Sequence, residues 1–283
     1  MHPLRLGLKL SPQATTVDEM RPIWRIADEA GFDHCWNFDH FAAILGDPTI
    51  DCLEGWTLLA AMAEATSRVR IGCMVTGNTY RHPAVLAKMA VTVDHLSGGR
   101  LEMGIGAAWA EIEHTMLGLD FGTVGQRIDR LDEACRLMKA LWQEERTTFE
   151  GKYYRLTDAI ANPKPVQRPY PPIWIGGRGE RKTLRVVAKH ADVWNAPGND
   201  PDEMVRLQAV LDGHCEAVGR DPAEIRRSVQ IFYRGDQDDA LRLAEDYVRH
   251  GFTELILIVP GGEAGQRAAE VVELLPRLRQ LRP

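Results

Sequence analysis

The amino-acid sequence predicts a closed (β/α)8 barrel. Eight short apolar runs of buried-strand type alternate with eight amphipathic helical stretches, and the spacing is nearly even along the chain. The 283 residues suit an α/β barrel folded as one domain spanning 1–283. An open parallel sheet would share the alternation, but eight strands each followed by one helix fit closure better.

The elements follow in order. Leu4–Leu10 is the first strand, and Val17–Ala30 the helix that returns from it. The second strand, Asp33–Phe38, runs into Asp39-His40-Phe41 before the helix Gly55–Thr66. Val69–Val75 is a third apolar run, and Pro83 marks the start of the helix Ala84–Leu96. Leu101–Gly106 ends in small residues and precedes the long amphipathic stretch Val124–Trp142. Spacing breaks here: Thr147–Leu156 reads as a hairpin turning at Glu150-Gly151, and a proline-rich connector, Asn162 to Pro172, leads to the fifth strand. It is a short insertion between strands four and five. Pro172–Gly176 then passes through Gly176-Gly177-Arg178-Gly179 into a helix, Glu180–His190. Asp192–Asn195 with Pro201–Val218, Arg227–Tyr233 with Asp238–His250, and Glu254–Val259 with Gly265–Leu278 complete the eight units.

Composition narrows the function. Hydrophobic residues are 45% and charged residues 26%, the balance of a soluble globular enzyme and not of a disordered or membrane-embedded chain. A net charge of -6 provides no basic face for nucleic acid, so a small molecule is the expected ligand. The five cysteines are scattered, with no C-x-x-C pair, which points to reduced thiols in a cytoplasmic protein and not to a disulfide framework or zinc site. No signal-like or membrane-spanning apolar run occurs, and no H-E-x-x-H, so neither membrane nor metal is expected.

In a barrel, ligands meet the carboxyl ends of strands. Asp39 and His40 stand at the second such end; an imidazole in the pocket with a carboxylate bonded behind it could exchange a proton with a substrate oxygen, although the pair could equally cap a turn and pack. Met74 and Val75 could support a flat ring or simply fill the core. After strand four, Gly106-Ala107-Ala108-Trp109 lets a ligand approach the backbone. Glu111, Glu113 and His114 are too irregularly spaced for a metal signature. The glycine turn at 176–179 resembles an anion cradle at a helix start, with Arg178, Arg181, Lys182 and Arg185 as a local positive patch; a plain tight turn and a solvated helix face would read alike.

Taken in order, Asp39-His40, IGCMVTGNTYRHPAVLAKMA, DHLSGGRLEMGIGAAWAEIEHTMLG, YYRL and PVQRPYPPIWIGGRGERKTLRVVAKHADVWN resemble the bacterial-luciferase-like superfamily over nearly the whole chain. The sequence is most similar to its coenzyme F420-dependent oxidoreductases. The resemblance implies a barrel mouth that holds the deazaflavin and a non-proline cis peptide at Met74–Val75. Catalysis would fall to His40 and Asp39. The implied cofactor contacts are Asp39, Met74, Val75, Thr76, Gly106, Ala107, Ala108, Trp109, Glu111, Gly176, Gly177, Arg178, Gly179 and Asn195. A homodimer acting on a small-molecule substrate is also implied. The sugar-phosphate dehydrogenase branch has a glutamate where this chain has Trp109 and a tryptophan where it has Ile44, and the excursion after strand seven is missing, so that branch's substrate does not carry over. An FMN-dependent monooxygenase, a non-catalytic flavin-binding protein and a metal-dependent barrel hydrolase are the other readings.

Overall fold

The computed structural model describes residues 2–198 and 200–282. Its strands are β1 (Arg5–Leu10), β2 (His34–Asn37), β3 (Arg70–Cys73), β4 (Thr76–Gly77), β5 (Leu101–Gly106), β6 (Thr147–Glu150), β7 (Arg155–Ala159), β8 (Ile173–Gly176), β9 (Val193–Pro197), β10 (Arg226–Phe232) and β11 (Glu254–Val259). Its α-helices are α1 (Val17–Ala30), α2 (Gly55–Ala65), α3 (Pro83–Leu96), α4 (Glu111–Leu117), α5 (Val124–Gln143), α6 (Thr183–His190), α7 (Pro201–Ala217), α8 (Gln237–Arg249) and α9 (Ala264–Leu278). The parallel segments run β3-β2-β1-β11-β10-β9-β8-β5-β4, and a β3–β5 pairing closes the ring. Since β3 and β4 are two halves of one interrupted strand, the barrel has eight staves.

The period of two in the strands divides the core. Leu6, Leu8 and Leu10 of β1 point outward and pack with helix residues such as Met20, Trp24 and Leu59, while Gly7 and Lys9 face the lumen. Inside, Trp36, Met74, Trp174, Val193 and Ile256 form a separate apolar layer. Glycines seat the Trp36 indole: a Cβ at Gly72 would lie 2.4 Å from its ring, and one at Gly7 would lie 3.3 Å from its Nε1.

Below this layer, at the amino ends of the strands, lies a buried polar floor. Glu102 accepts hydrogen bonds from Arg70 and, at 2.6 Å, from the Trp174 indole; Glu254 pairs with Arg226. His34 sits between the two acids with its ring edge-on to Trp36 and Trp174, and neither ring nitrogen has a hydrogen-bond partner among the described residues. Burial, helped by Arg226 and Arg70, lowers its pKa well below the usual value, so the imidazole is neutral. Its 3.6 Å approach to Glu254 is therefore not an ion pair. Burial likewise pushes the Glu254 carboxyl up to about 7 against the pull of Arg226.

Most boundaries agree with the sequence expectation to within one residue, and the larger departures are these. The third strand breaks at Met74–Val75, whose peptide is cis. The sixth strand extends to Pro197, paired to Gln230 of β10. The fifth βα helix begins at Thr183, three residues after Glu180, because the chain spends Glu180–Lys182 completing the turn. A seven-residue helix, α4, fills the segment after strand four. The hairpin β6–β7 forms, but its turn lies at Gly151–Tyr154, past the expected Glu150-Gly151, with Glu150 opposite Arg155, and its second strand runs to Ala159, beyond Leu156.

Removing Glu102 leaves the Arg70 guanidinium and the Trp174 indole N–H without their acceptor. Glu102→Ala is expected to lower stability by roughly 3 kcal/mol, seen as a lower urea midpoint at an unchanged denaturant slope; an unshifted midpoint would mean the floor does not need its acid.

Candidate functional site

The carboxyl ends of the staves surround a cavity of about 690 Å3. Its walls come from the loops after β1, β2, β4, β5 and β8, from the β3–β4 break, from β9, β10 and β11 themselves, and from α5.

Asp39 and His40 leave β2 in opposite directions, as successive residues of extended chain do. Asp39 is fully buried, and Arg81 holds it through two hydrogen bonds of 2.7 and 3.0 Å. Arg81 also reaches Glu54, whose carboxylate caps α2 by accepting from the backbone of Trp56 and Thr57. Burial raises the Asp39 carboxyl above its ordinary value, and the Arg81 charge opposes that rise.

The carboxylate behind His40 is therefore not Asp39. It is Glu113, delivered by α4, whose Oε2 lies 2.8 Å from His40 Nδ1. Glu113 also accepts from the Tyr80 hydroxyl and from the backbone N–H groups of Phe41 (2.5 Å) and Ala42 (3.0 Å). Burial alone would raise its pKa, but the hydrogen bonds from His40 and Tyr80 outweigh it and bring the group down to about 2. Glu113 is consequently ionised and acceptor-only near neutral pH, which places a proton on Nδ1 of His40. Nε2 has no partner among the described residues, and His40 lines the cavity. The arrangement is a general base, or once protonated a general acid, with a fixed orientation and a negative charge behind it.

Val75, which lines the same cavity, forms a ledge. Its Cγ2 lies 2.9 Å from where a Cβ would stand at Gly106 and, equally, at Gly176, so only glycine at both strand ends admits it. Gly104 is closed in the same way, since a Cβ there would meet the Cys73 carbonyl oxygen at 2.0 Å. Met74 turns into the apolar lumen layer, with its N–H bonded to the Asn37 carbonyl at 2.8 Å. Thr76 is buried and accepts from the Trp56 indole at 2.9 Å.

A polar row crosses the lumen along the cavity wall. Lys9 Nζ donates to Gln230 Oε1 at 2.7 Å, Gln230 Nε2 donates to Asn195 Oδ1 at 2.7 Å, and Asn195 Nδ2 donates to Ser228 Oγ at 2.8 Å. Removal of the Lys9 ammonium from bulk water lowers its pKa to about 7, with only a small counter-effect from Cys73.

At the fifth corner Gly177 adopts φ 139°, a value that residues with a Cβ rarely take. Its N–H donates to the Asn195 carbonyl at 3.0 Å and its own carbonyl accepts from the Trp194 indole at 2.8 Å, which fixes the turn to β9. The N–H groups of Arg178 and Gly179 make no hydrogen bond among the described residues and remain available to an anion. Arg178 pairs with Glu203 and Lys182 with Asp129 at exposed positions, whereas Arg181 and Arg185 form no ion pair among the described residues.

The cavity thus gathers Asp39, His40, Met74, Val75, Thr76, Gly106, Ala107, Ala108, Trp109, Gly176, Gly177, Arg178 and Asn195 from the sequence expectation. Glu111 and Gly179 lie outside its lining: Glu111 points outward in the first turn of α4, and Gly179 packs against Thr183. Sequence reasoning missed Lys9, Gln230 and the role of Glu113. A lysine inside the leucine run of β1 was the signal for the first.

Similarity to known proteins adds a second line. The luciferase-like monooxygenase family matches residues 1–280 of the chain. An F420-dependent glucose-6-phosphate dehydrogenase of Kineococcus radiotolerans is 36% identical over 85% of this chain and 71% of its own length. An F420-dependent hydroxymycolic acid dehydrogenase of Mycobacterium tuberculosis is 30% identical over 94% of this chain and 72% of its own. The solved structure of an F420-dependent secondary alcohol dehydrogenase in complex with an F420-acetone adduct superposes with a TM-score of 0.88, covering 99% of this chain and 100% of the other, at 19% identity, and shares the fold.

Because folding depresses the Glu113 pKa from 4.5 to about 2, its stabilising contribution is complete above the unfolded value and is lost as the pH falls through the folded one. Glu113→Gln should therefore lose less Tm than the parent protein between about pH 6 and about pH 3. Thermal unfolding followed by circular dichroism at both values decides it, and equal losses would assign the acid sensitivity elsewhere.

Proposed function

The chain belongs to the luciferase-like monooxygenase family, and from that membership we propose that it binds the deazaflavin coenzyme F420 in the barrel mouth and transfers a hydride between it and a small organic substrate. The observation that carries the reading is the His40–Glu113 pair, an oriented imidazole on the cavity wall that can accept or return the proton accompanying hydride transfer.

The residues present suit the cofactor. The ledge of Val75 on Gly106 and Gly176 leaves flat, side-chain-free backbone beside it, suited to a planar ring. The free N–H groups of Arg178 and Gly179 suit a phosphate, and the exposed Arg181 and Arg185 suit an acidic tail beyond it. When bound, F420 supplies the hydride acceptor or donor, and the protein supplies placement and electrostatics. In the oxidising direction His40 Nε2 takes the substrate hydroxyl proton while Glu113 stabilises the imidazolium that forms; in the reducing direction the same proton returns. Asp39, neutralised by Arg81, holds the loop that carries His40.

FMN-dependent oxygenation is the second reading, favoured by the relative from Pseudomonas putida named an FMNH(2)-dependent dimethylsulfone monooxygenase, 26% identical over 83% of this chain. A homodimer is part of the proposal, and the five free cysteines support a reducing, cytoplasmic setting.

Titration of the protein with F420 and with FMN should give tighter binding of F420, and reduced FMN should drive no oxygen consumption. The opposite order would select the second reading. His40→Ala should bind F420 normally and lower kcat by roughly a hundred- to ten-thousand-fold; unchanged kcat would remove His40 from the chemistry, and a parent protein that binds F420 yet turns over nothing would be a carrier.

A further inference from the structure

The rim of the cavity beside His40 is apolar, exposed and rigidly mounted. Trp109 is 64% exposed, Val124 63%, Leu45 56% and Phe232 42%, and all four line the cavity. Trp109 is the one exposed indole of seven; the other six are at most 3% exposed. Its ring meets the His40 imidazole edge-on with centroids 5.6 Å apart, so the apolar surface is continuous with the proton-transferring group.

The backbone beneath this surface is held by buried polar side chains. Gln13, 6% exposed, accepts from the N–H groups of Ile44 (2.9 Å) and Leu45 (3.3 Å) and donates to the Leu45 carbonyl (2.9 Å). On the facing side, Arg127 donates to the carbonyls of Ala108 (3.3 Å) and Gly122 (2.8 Å) and stacks on Phe121. A loop that merely left hydrophobic groups in water would have no use for such anchors. Fixed backbones that present large apolar side chains around a reactive centre are the form of a binding wall.

The cations near this wall are all engaged. Arg127 is turned into the loop carbonyls, Arg81 onto Asp39, and Arg178 onto Glu203. Lys9 also lines the cavity, where its Nζ donates to Gln230 and burial lowers its pKa to about 7, so near neutral pH it carries only part of a charge. A substrate bearing a phosphate or carboxylate would find no free counter-charge beside His40 among the described residues.

Resting on the F420 reading above, we propose that the substrate is an uncharged alcohol, or the corresponding carbonyl compound, carried on a hydrocarbon skeleton several carbons long that lies against Leu45, Trp109 and Phe232. In the oxidising direction the carbinol C–H bond breaks and its electron pair leaves with the hydrogen as hydride to F420. The O–H proton passes to His40 Nε2, and the C=O bond forms. Oxidised deazaflavin is the electron acceptor, so the step balances.

The test uses F420-loaded protein and a series of straight-chain 2-alkanols from three to eight carbons, followed by loss of the oxidised-cofactor absorbance, with glucose 6-phosphate as the charged comparison. kcat/KM should rise roughly three- to fourfold per added methylene and exceed that for glucose 6-phosphate. Leu45→Ser with Phe232→Ser should flatten the series by raising KM for the longer alcohols, with F420 affinity unchanged. A second measurement needs no cofactor. The emission of Trp109 should shift to the blue on titration with 2-octanone but not with glucose 6-phosphate, and Trp109→Phe should abolish the shift. A series independent of chain length, no turnover of any alkanol, or faster glucose 6-phosphate oxidation, in protein shown to bind F420, overturns the apolar substrate alone. Failure to bind F420 overturns the cofactor reading, and the Trp109 titration then still decides the rim.

Discussion

The carboxylate of Glu113 receives four hydrogen bonds from three directions: the His40 ring, the Tyr80 hydroxyl and the successive N–H groups of Phe41 and Ala42. These donors belong to the loop after β2 and the loop before α3, and the acceptor belongs to α4. One buried charge thus joins three otherwise separate connections. The group stays ionised because the donors outweigh the burial that would neutralise it. The tautomer of His40, the position of the loop behind Asp39 and the placement of Trp109 two residues before α4 all follow from that anchor.

The barrel divides its labour by height. Its floor is a closed set of acids, arginines and aromatic rings around a neutral His34, and nothing there opens to the cavity. Among the described residues its mouth holds partially used groups: Lys9 with one hydrogen bond, His40 with a free Nε2, and unpaired N–H groups at Arg178 and Gly179. Paired acids and arginines closed off from solvent rigidify a scaffold, whereas partly used groups lining a cleft are what a ligand completes.

Much of this was legible in the sequence because the governing signals are local. Leu101–Gly106 and Glu254–Val259 have the boundaries that their apolar runs announce, and Val17–Ala30 does as well. The cavity position of His40, Val75, Gly106 and Gly176 follows from the rule that strand ends face the ligand. What escaped depends on distant packing. Asp39 does not back His40: successive residues of extended chain point opposite ways, and Asp39 turns to Arg81. Glu113 is 73 residues away, on a helix too short to show a period. Lys9 pairs with Gln230 across 221 residues, a contact that exists only once the barrel closes. The start of α6 at Thr183 was set by the geometry of the glycine turn and not by amphipathicity.

Gln13 and Arg127 make their hydrogen bonds to the rim through main-chain groups. Main-chain acceptors and donors are the same whatever side chain is attached. The residues at 44, 45 and 109 are therefore free to be exchanged one at a time, each substitution reshaping the wall without unseating the loop. A lineage with this architecture can reshape the cavity wall by single steps while the His40–Glu113 pair and the floor stay as they are.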